Sequence, residues 1–164
     1  MAQTLFKGNP VNTAGELPTV GSAAPDFKVV GTDLSTVSLS DFAGKKVVIN
    51  AFPSVDTGVC ALQLKAFNEK VAEKDVILLF VSQDLPFAFS RFCGAEGVEN
   101  AITTSDFRDH SFADAYGPKL VDGPLEGLLT RAVIVLDESH KVTYTELVSE
   151  ITHEPNYDAA MAAL

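Results

Sequence analysis

Two cysteines, Cys60 and Cys93, are the side chains whose chemistry depends most on where the chain places them. The thiolate is the nucleophilic form of a cysteine, and its surroundings decide how much of it exists. Cys60 closes the stretch Phe52-Pro53-Ser54-Val55-Asp56-Thr57-Gly58-Val59-Cys60, and helical apolar spacing begins there. That places it in the first turn of a helix that follows a buried strand. Unpaired N–H groups at such a helix end carry about half a positive charge and stabilise a thiolate. Thr57 stands three residues earlier. Read simply, it is the N-cap of the helix, its hydroxyl accepting from a backbone N–H. Read functionally, the hydroxyl lies beside the sulfur and orients both the thiolate and whatever it attacks. Pro53 ends the preceding strand and would also wall a pocket around the sulfur. Cys93 falls near the other end of its own helix, where the dipole disfavours a thiolate. One sulfur is then reactive and the other waits. The bland alternative is two buried thiols acting as small hydrophobes.

Buried strands alternating with helices must hold these positions. Lys46–Phe52, Asp75–Ser82 and Arg131–Leu136 are continuous apolar runs of the kind found inside a covered sheet. Gly58 to Glu73 reads as a helix with Val59, Leu62, Leu64, Ala66, Phe67 and Val71 on its apolar side. A short helix follows Asp84 as cap and Pro86 in the first turn, and stops at Gly94. Asp109–Tyr116 is a further short helix, and Tyr157–Leu164 a terminal one. Leu5–Lys7 and Val11–Thr13 form a small hairpin, Phe27–Val30 and Val37–Leu39 are short strands, and Lys141–Leu147 alternates like an edge strand. This is an α/β domain with a mixed sheet, read as one unit over 1–164.

The 22 acidic residues outnumber the 12 basic ones, giving a formal charge of −10. That balance argues against binding nucleic acid or anionic lipid, which needs clustered Lys and Arg. No apolar run approaches the roughly 20 residues of a membrane span, and residues 1–20 hold no apolar leader segment. A cytoplasmic protein is expected. Two cysteines do not make a disulfide scaffold. His110, His140 and His153 lack metal-ligand spacing, so no metal is expected.

The string Pro53-Ser54-Val55-Asp56-Thr57-Gly58-Val59-Cys60 resembles the P-x-x-x-T-x-x-C active-site motif of peroxiredoxins. Together with Ser90–Gly97 (SRFCGAEG), Gly8-Asn9-Pro10-Val11, Asp122-Gly123-Pro124-Leu125 and Arg131-Ala132-Val133, it resembles the thiol peroxidase branch, the bacterial atypical two-cysteine group. The resemblance implies a thioredoxin-like three-layer α/β/α fold with a central mixed sheet and an N-terminal hairpin extension. It implies that Cys60 reduces hydroperoxides through a sulfenic acid and that Cys93 resolves this as an intramolecular Cys60–Cys93 disulfide. Thioredoxin would then reduce the disulfide, with no bound cofactor, in a protein that is commonly a homodimer. It also assigns Thr57 and Arg131 to stabilising the thiolate and the transition state. Composition cannot single out Arg131 from Arg91 and Arg108, although a permanently charged guanidinium fork suits the task.

Two helix-borne cysteines on separate elements are expected to start too far apart for a disulfide, so local unwinding is expected, eased by Gly58, Gly94 and Gly97. Sequence proximity suggests a pocket rim of Phe52, Val55, Phe87, Phe89 and Phe92. A general disulfide oxidoreductase would instead show C-x-x-C, whereas Ala61-Leu62-Gln63 follows Cys60. A non-catalytic redox sensor is the remaining alternative, distinguished by slow oxidation without turnover.

Overall fold

The computed structural model describes residues 1–72, 74–96 and 101–164. In chain order its elements are β1 (Gln3–Phe6), β2 (Asn9–Asn12), β3 (Lys28–Gly31), β4 (Thr36–Ser38), β5 (Lys46–Ala51), α1 (Gly58–Val71), β6 (Val76–Ser82), α2 (Pro86–Glu96), β7 (Ala101–Ser105), α3 (Ser111–Tyr116), β8 (Ala132–Leu136), β9 (Val142–Leu147) and α4 (Tyr157–Ala162). The three continuous apolar runs become β5, β6 and β8. They lie inside a seven-stranded sheet of order β4-β3-β7-β6-β5-β8-β9, because only central strands have both faces covered.

The sheet is mixed. β5, β6 and β7 run parallel, and β8 pairs antiparallel with β5. Side chains alternate strictly across it, as a pleated strand requires. Val47, Ile49 and Ala51 of β5 join Leu79, Val81, Ile134, Phe112 and Tyr116 on one face. Val48 joins Leu78, Phe80, Val133 and the helical Leu64, Phe67 and Phe89 on the other. Burying each of these phenylalanines contributes roughly 1.5–3 kcal/mol. Helices therefore cover both faces, and β1 pairs with β2 as a separate hairpin. This is the thioredoxin-like arrangement with its N-terminal extension.

Several elements differ from the sequence reading. Leu62 is exposed, because the buried stripe of α1 runs through Cys60, Gln63, Leu64, Phe67 and Val71 instead. α1 ends at Val71, and Glu73 lies outside the described residues, as does Gly97. α2 does not stop at Gly94 but continues to Glu96. Cys93 is therefore in its final turn without being its end. Ala101–Ser105 was not expected as a strand. Its polar Thr103, Thr104 and Ser105 are buried between β6 and β3, and the Thr104 hydroxyl donates to the Phe80 carbonyl at 2.8 Å. Hydrogen-bonded β-branched threonines satisfy a buried strand without being apolar.

Candidate active site

β5 ends at Ala51, and the chain turns through Pro53–Thr57 into α1. Thr57 is the N-cap residue in extended conformation, but its hydroxyl caps nothing. It donates instead to the Ser54 carbonyl at 2.9 Å. The oxygen lone pairs remain available to accept a hydrogen bond. The N–H groups of the first turn are left without a side-chain cap, which preserves the positive end of the dipole where Cys60 sits.

Cys60 is the third residue of α1 and is fully buried. It packs with Phe52, Val55, Leu64, Phe89 and Phe92, and Cys93 packs against the same cluster. Both thiols are free. Burial pushes the Cys93 thiol above its ordinary value, and the Thr103 hydroxyl, at 3.9 Å, only partly offsets this. Cys93 is thus held protonated at neutral pH, as its position late in a helix also favours.

A cavity of about 300 Å³ opens beside the first turn of α1. Pro53, Ser54, Thr57, Gly58 and Val59 form one side, and Arg131 lies against it. The structure thus brings Pro53, Thr57 and Arg131 together around one space. Cys60 contributes no surface to that cavity and lies beneath the turn that bounds it. The expected aromatic rim is corrected: Phe52, Val55, Phe89 and Phe92 are buried around Cys60 in the core, and Phe87 is exposed elsewhere. Sequence proximity failed here because those side chains pack beneath the helix, away from its open end.

The actual far wall comes from distant segments that sequence reasoning missed: Phe6, Lys7, Leu125, Leu128, Ile151 and Thr152. Hints were present in the strings that carry the family resemblance. In Gly8-Asn9-Pro10-Val11, Gly8 adopts φ +81° beside Lys7 at +51°, so the hairpin turns tightly and presents Phe6 and Lys7. In Asp122-Gly123-Pro124-Leu125, Gly123 has φ +77° and a side chain there would meet Val11 at 2.7 Å. Only glycine fits, and Leu125 follows at the cavity. Glu150 locks the hairpin to this wall. Its carboxylate accepts from the N–H groups of Lys7 (3.3 Å), Gly8 (2.8 Å) and Thr152 (3.0 Å), and Ile151 donates to the Leu5 carbonyl at 2.8 Å.

Arg131 is 2% exposed. Its Nε donates to the Ile151 carbonyl at 2.9 Å and its Nη1 to Gln63 Oε1 at 2.8 Å. Both partners are neutral, and among the described residues no carboxylate pairs with it. A buried cation without a counter-ion is costly unless an anion arrives to meet it. Gln63, three residues after Cys60, holds this guanidinium from α1, and the sequence reading did not find it. An amide on the buried stripe of a helix was its one available signal.

No group of side chains among the described residues is arranged to hold a metal ion. No helix among them is long and apolar enough to cross a membrane.

The sequence matches the redoxin family over residues 19–161. It is 54% identical to the thiol peroxidase of Mycobacterium bovis over 164 residues, covering 100% of this chain and 99% of that one. The same figures hold for the thiol peroxidase of Mycobacterium tuberculosis. Among solved structures, a peroxiredoxin-like protein from Aquifex aeolicus superimposes with a TM-score of 0.93 at 40% identity, covering 99% of this chain and 96% of that one. A thiol peroxidase from Chromobacterium violaceum shares the fold, with a TM-score of 0.91 at 22% identity over 98% of this chain and 93% of its own. With its thioredoxin-like sheet, its hairpin extension and this match over the full chain, the protein belongs to the redoxin family, in the thiol peroxidase branch, and is a peroxiredoxin-type enzyme.

Proposed function

We propose that the protein reduces hydrogen peroxide and organic hydroperoxides with Cys60 and is recycled by thioredoxin. The Cys60 thiolate attacks one peroxide oxygen. An S–O bond forms as the O–O bond breaks, and the leaving oxygen takes a proton to depart as water or an alcohol. Cys60 is left as a sulfenic acid, the reversible first oxidation state. The Cys93 sulfur then attacks Cys60, the S–O bond breaks, water leaves, and a Cys60–Cys93 disulfide remains. The thioredoxin dithiol reduces it by exchange. The cycle needs no bound cofactor.

The observation that carries this reading is the setting of Arg131. A buried guanidinium whose partners among the described residues are neutral lies across one cavity from Thr57 and the uncapped start of α1. That is a place for negative charge, both on the sulfur and on the oxygen that leaves. The Thr57 hydroxyl, already donating to Ser54, is free to accept from the peroxide O–H. The apolar wall of Phe6, Leu125, Leu128 and Ile151 suits the organic part of a hydroperoxide. Cys60 is buried and both cysteines stand on helical backbone, so the first turn of α1 shifts to admit the substrate, and local unwinding brings the sulfurs within disulfide range. A homodimer in the cytoplasm is proposed on the family resemblance.

Steady-state turnover with thioredoxin, its reductase and NADPH tests the reading. Wild type consumes hydrogen peroxide and cumene hydroperoxide, and Cys60→Ser consumes neither. Absence of thioredoxin-linked turnover in wild type would refute the recycling step.

A further inference from the structure

Asp84 stands between β6 and α2, and its carboxylate reaches out of its own segment. Oδ1 accepts from the Ser54 hydroxyl at 2.7 Å. Oδ2 accepts from the Val55 N–H at 2.9 Å and the Ser82 hydroxyl at 2.6 Å. Three donors converge on one carboxylate, and short bonds to such an acceptor are the strong kind. This is a longer-range role than the helix cap suggested by sequence.

Ser54 is the hub of the turn before α1. Its hydroxyl also accepts from the Asp56 N–H at 3.1 Å. Its carbonyl receives both the Thr57 N–H at 3.2 Å and the Thr57 hydroxyl at 2.9 Å. The direction of the Thr57 lone pairs is therefore set by Ser54, and the place of Ser54 is set by Asp84. The same aspartate lies two residues before α2, the helix that carries Cys93. One side chain thus ties the turn that presents Thr57 to the root of the helix bearing the second thiol.

We propose that Asp84 is a positioning residue for the peroxide step, acting through Ser54 on Thr57, and that its grip fixes the two cysteine-bearing segments relative to each other until the first step is complete. The proposal rests on the peroxidase reading above. It makes opposite demands on the two steps: loosening the tie slows attack on peroxide, which needs Thr57 aligned, and leaves unchanged or speeds disulfide formation, which needs the segments to move.

Rapid mixing of reduced protein with increasing hydroperoxide, followed by quenching and thiol alkylation, separates the steps. The initial slope against peroxide concentration reads attack by Cys60, and the plateau rate of disulfide formation reads capture by Cys93. Asp84→Asn and Ser54→Ala are each expected to lower the slope about tenfold with the plateau equal to or above that of wild type. Ser54→Thr, which keeps the hydroxyl, is expected to restore most of the slope. The double variant is expected to be no worse than either single one, because the two residues act in series. Thermal unfolding confirms the fold, and if Asp84→Asn fails to fold, the Ser54 pair decides. A slope within twofold of wild type in folded variants, an equal fall in slope and plateau, or additive losses would overturn the proposal. Wild type that consumes no peroxide would instead overturn the peroxidase reading itself.

Discussion

Arg131 Nη1 donates a hydrogen bond to Gln63 Oε1 at 2.8 Å, so the buried guanidinium is aimed by an amide three residues along the helix from Cys60. The same amide donates from Nε2 to Asn50 Oδ1 at 3.0 Å. Asn50 Nδ2 is buried without a partner among the described residues. The chain Arg131–Gln63–Asn50 therefore links the residue preceding β8 to α1 and β5 beneath the site, and it is one hydrogen bond short.

That shortage separates two substitutions. Gln63→Leu removes the partner of both a buried charge and a buried amide, and is expected to cost about 2–4 kcal/mol of stability. Gln63→Glu should keep the fold, because Asn50 can rotate its amide and donate its idle Nδ2 to the new carboxylate. Urea unfolding of the two variants checks this. Equal destabilisation by both would show that the relay does not matter.

Thr57→Val removes the acceptor that faces the same cavity as Arg131 while leaving the backbone cap in place. The expected loss in kcat/KM for hydroperoxide is about 10²-fold, with thermal stability little changed. Thr57→Ser is expected to retain most of the activity. The comparison is read by steady-state kinetics and thermal unfolding together.

Cys93 should react slowly with iodoacetamide at pH 7, because burial raises its thiol above the ordinary value. Peptide mapping of the reduced protein measures this against free cysteine. Cys93→Ser should still reduce peroxide once, leave a Cys60 sulfenic acid that dimedone traps, and fail to turn over with thioredoxin.

Glu150 supplies a pH dependence. The Thr152 N–H, with help from Gly8, the Thr152 hydroxyl and Lys7, holds its carboxyl down to about 2, against an opposing contribution from burial. A depressed folded value stabilises the protein above the unfolded value near 4.5. That contribution is lost as the pH falls from there toward about 2. The Tm difference between wild type and Glu150→Gln should therefore be largest near neutrality and shrink across this acid range. At pH 7 the variant should also show a raised KM for cumene hydroperoxide, since Glu150 pins the hairpin that presents Phe6 and Lys7.

What could be read from sequence follows the range of the interactions involved. The place of Cys60 in the first turn of α1 is set by Pro53, a short turn and helical spacing, all local. The central strands announce themselves as apolar runs. β7 did not, because its Thr103, Thr104 and Ser105 are buried by hydrogen bonding rather than by hydrophobicity. The cavity wall was equally hidden. Phe6 and Ile151 are far apart in the chain, and the bond from Ile151 to Leu5 that joins their segments follows no local pattern. Arg131 stands out in the sequence through the family resemblance alone, and its separation from carboxylates among the described residues appears only in three dimensions. Asp84 read as a helix cap because its real partners, Ser54 and Val55, lie across a parallel crossover.

The central claim is that the Cys60 sulfur cleaves the O–O bond. Fully reduced protein mixed with one equivalent of hydrogen peroxide tests it most directly, by counting residual peroxide and free thiols and weighing the product. The account predicts rapid loss of peroxide, two thiols lost together, and a mass lower by two hydrogens, with Cys60→Ser leaving the peroxide untouched. A Cys60→Ser protein that consumes peroxide as fast as wild type would contradict it.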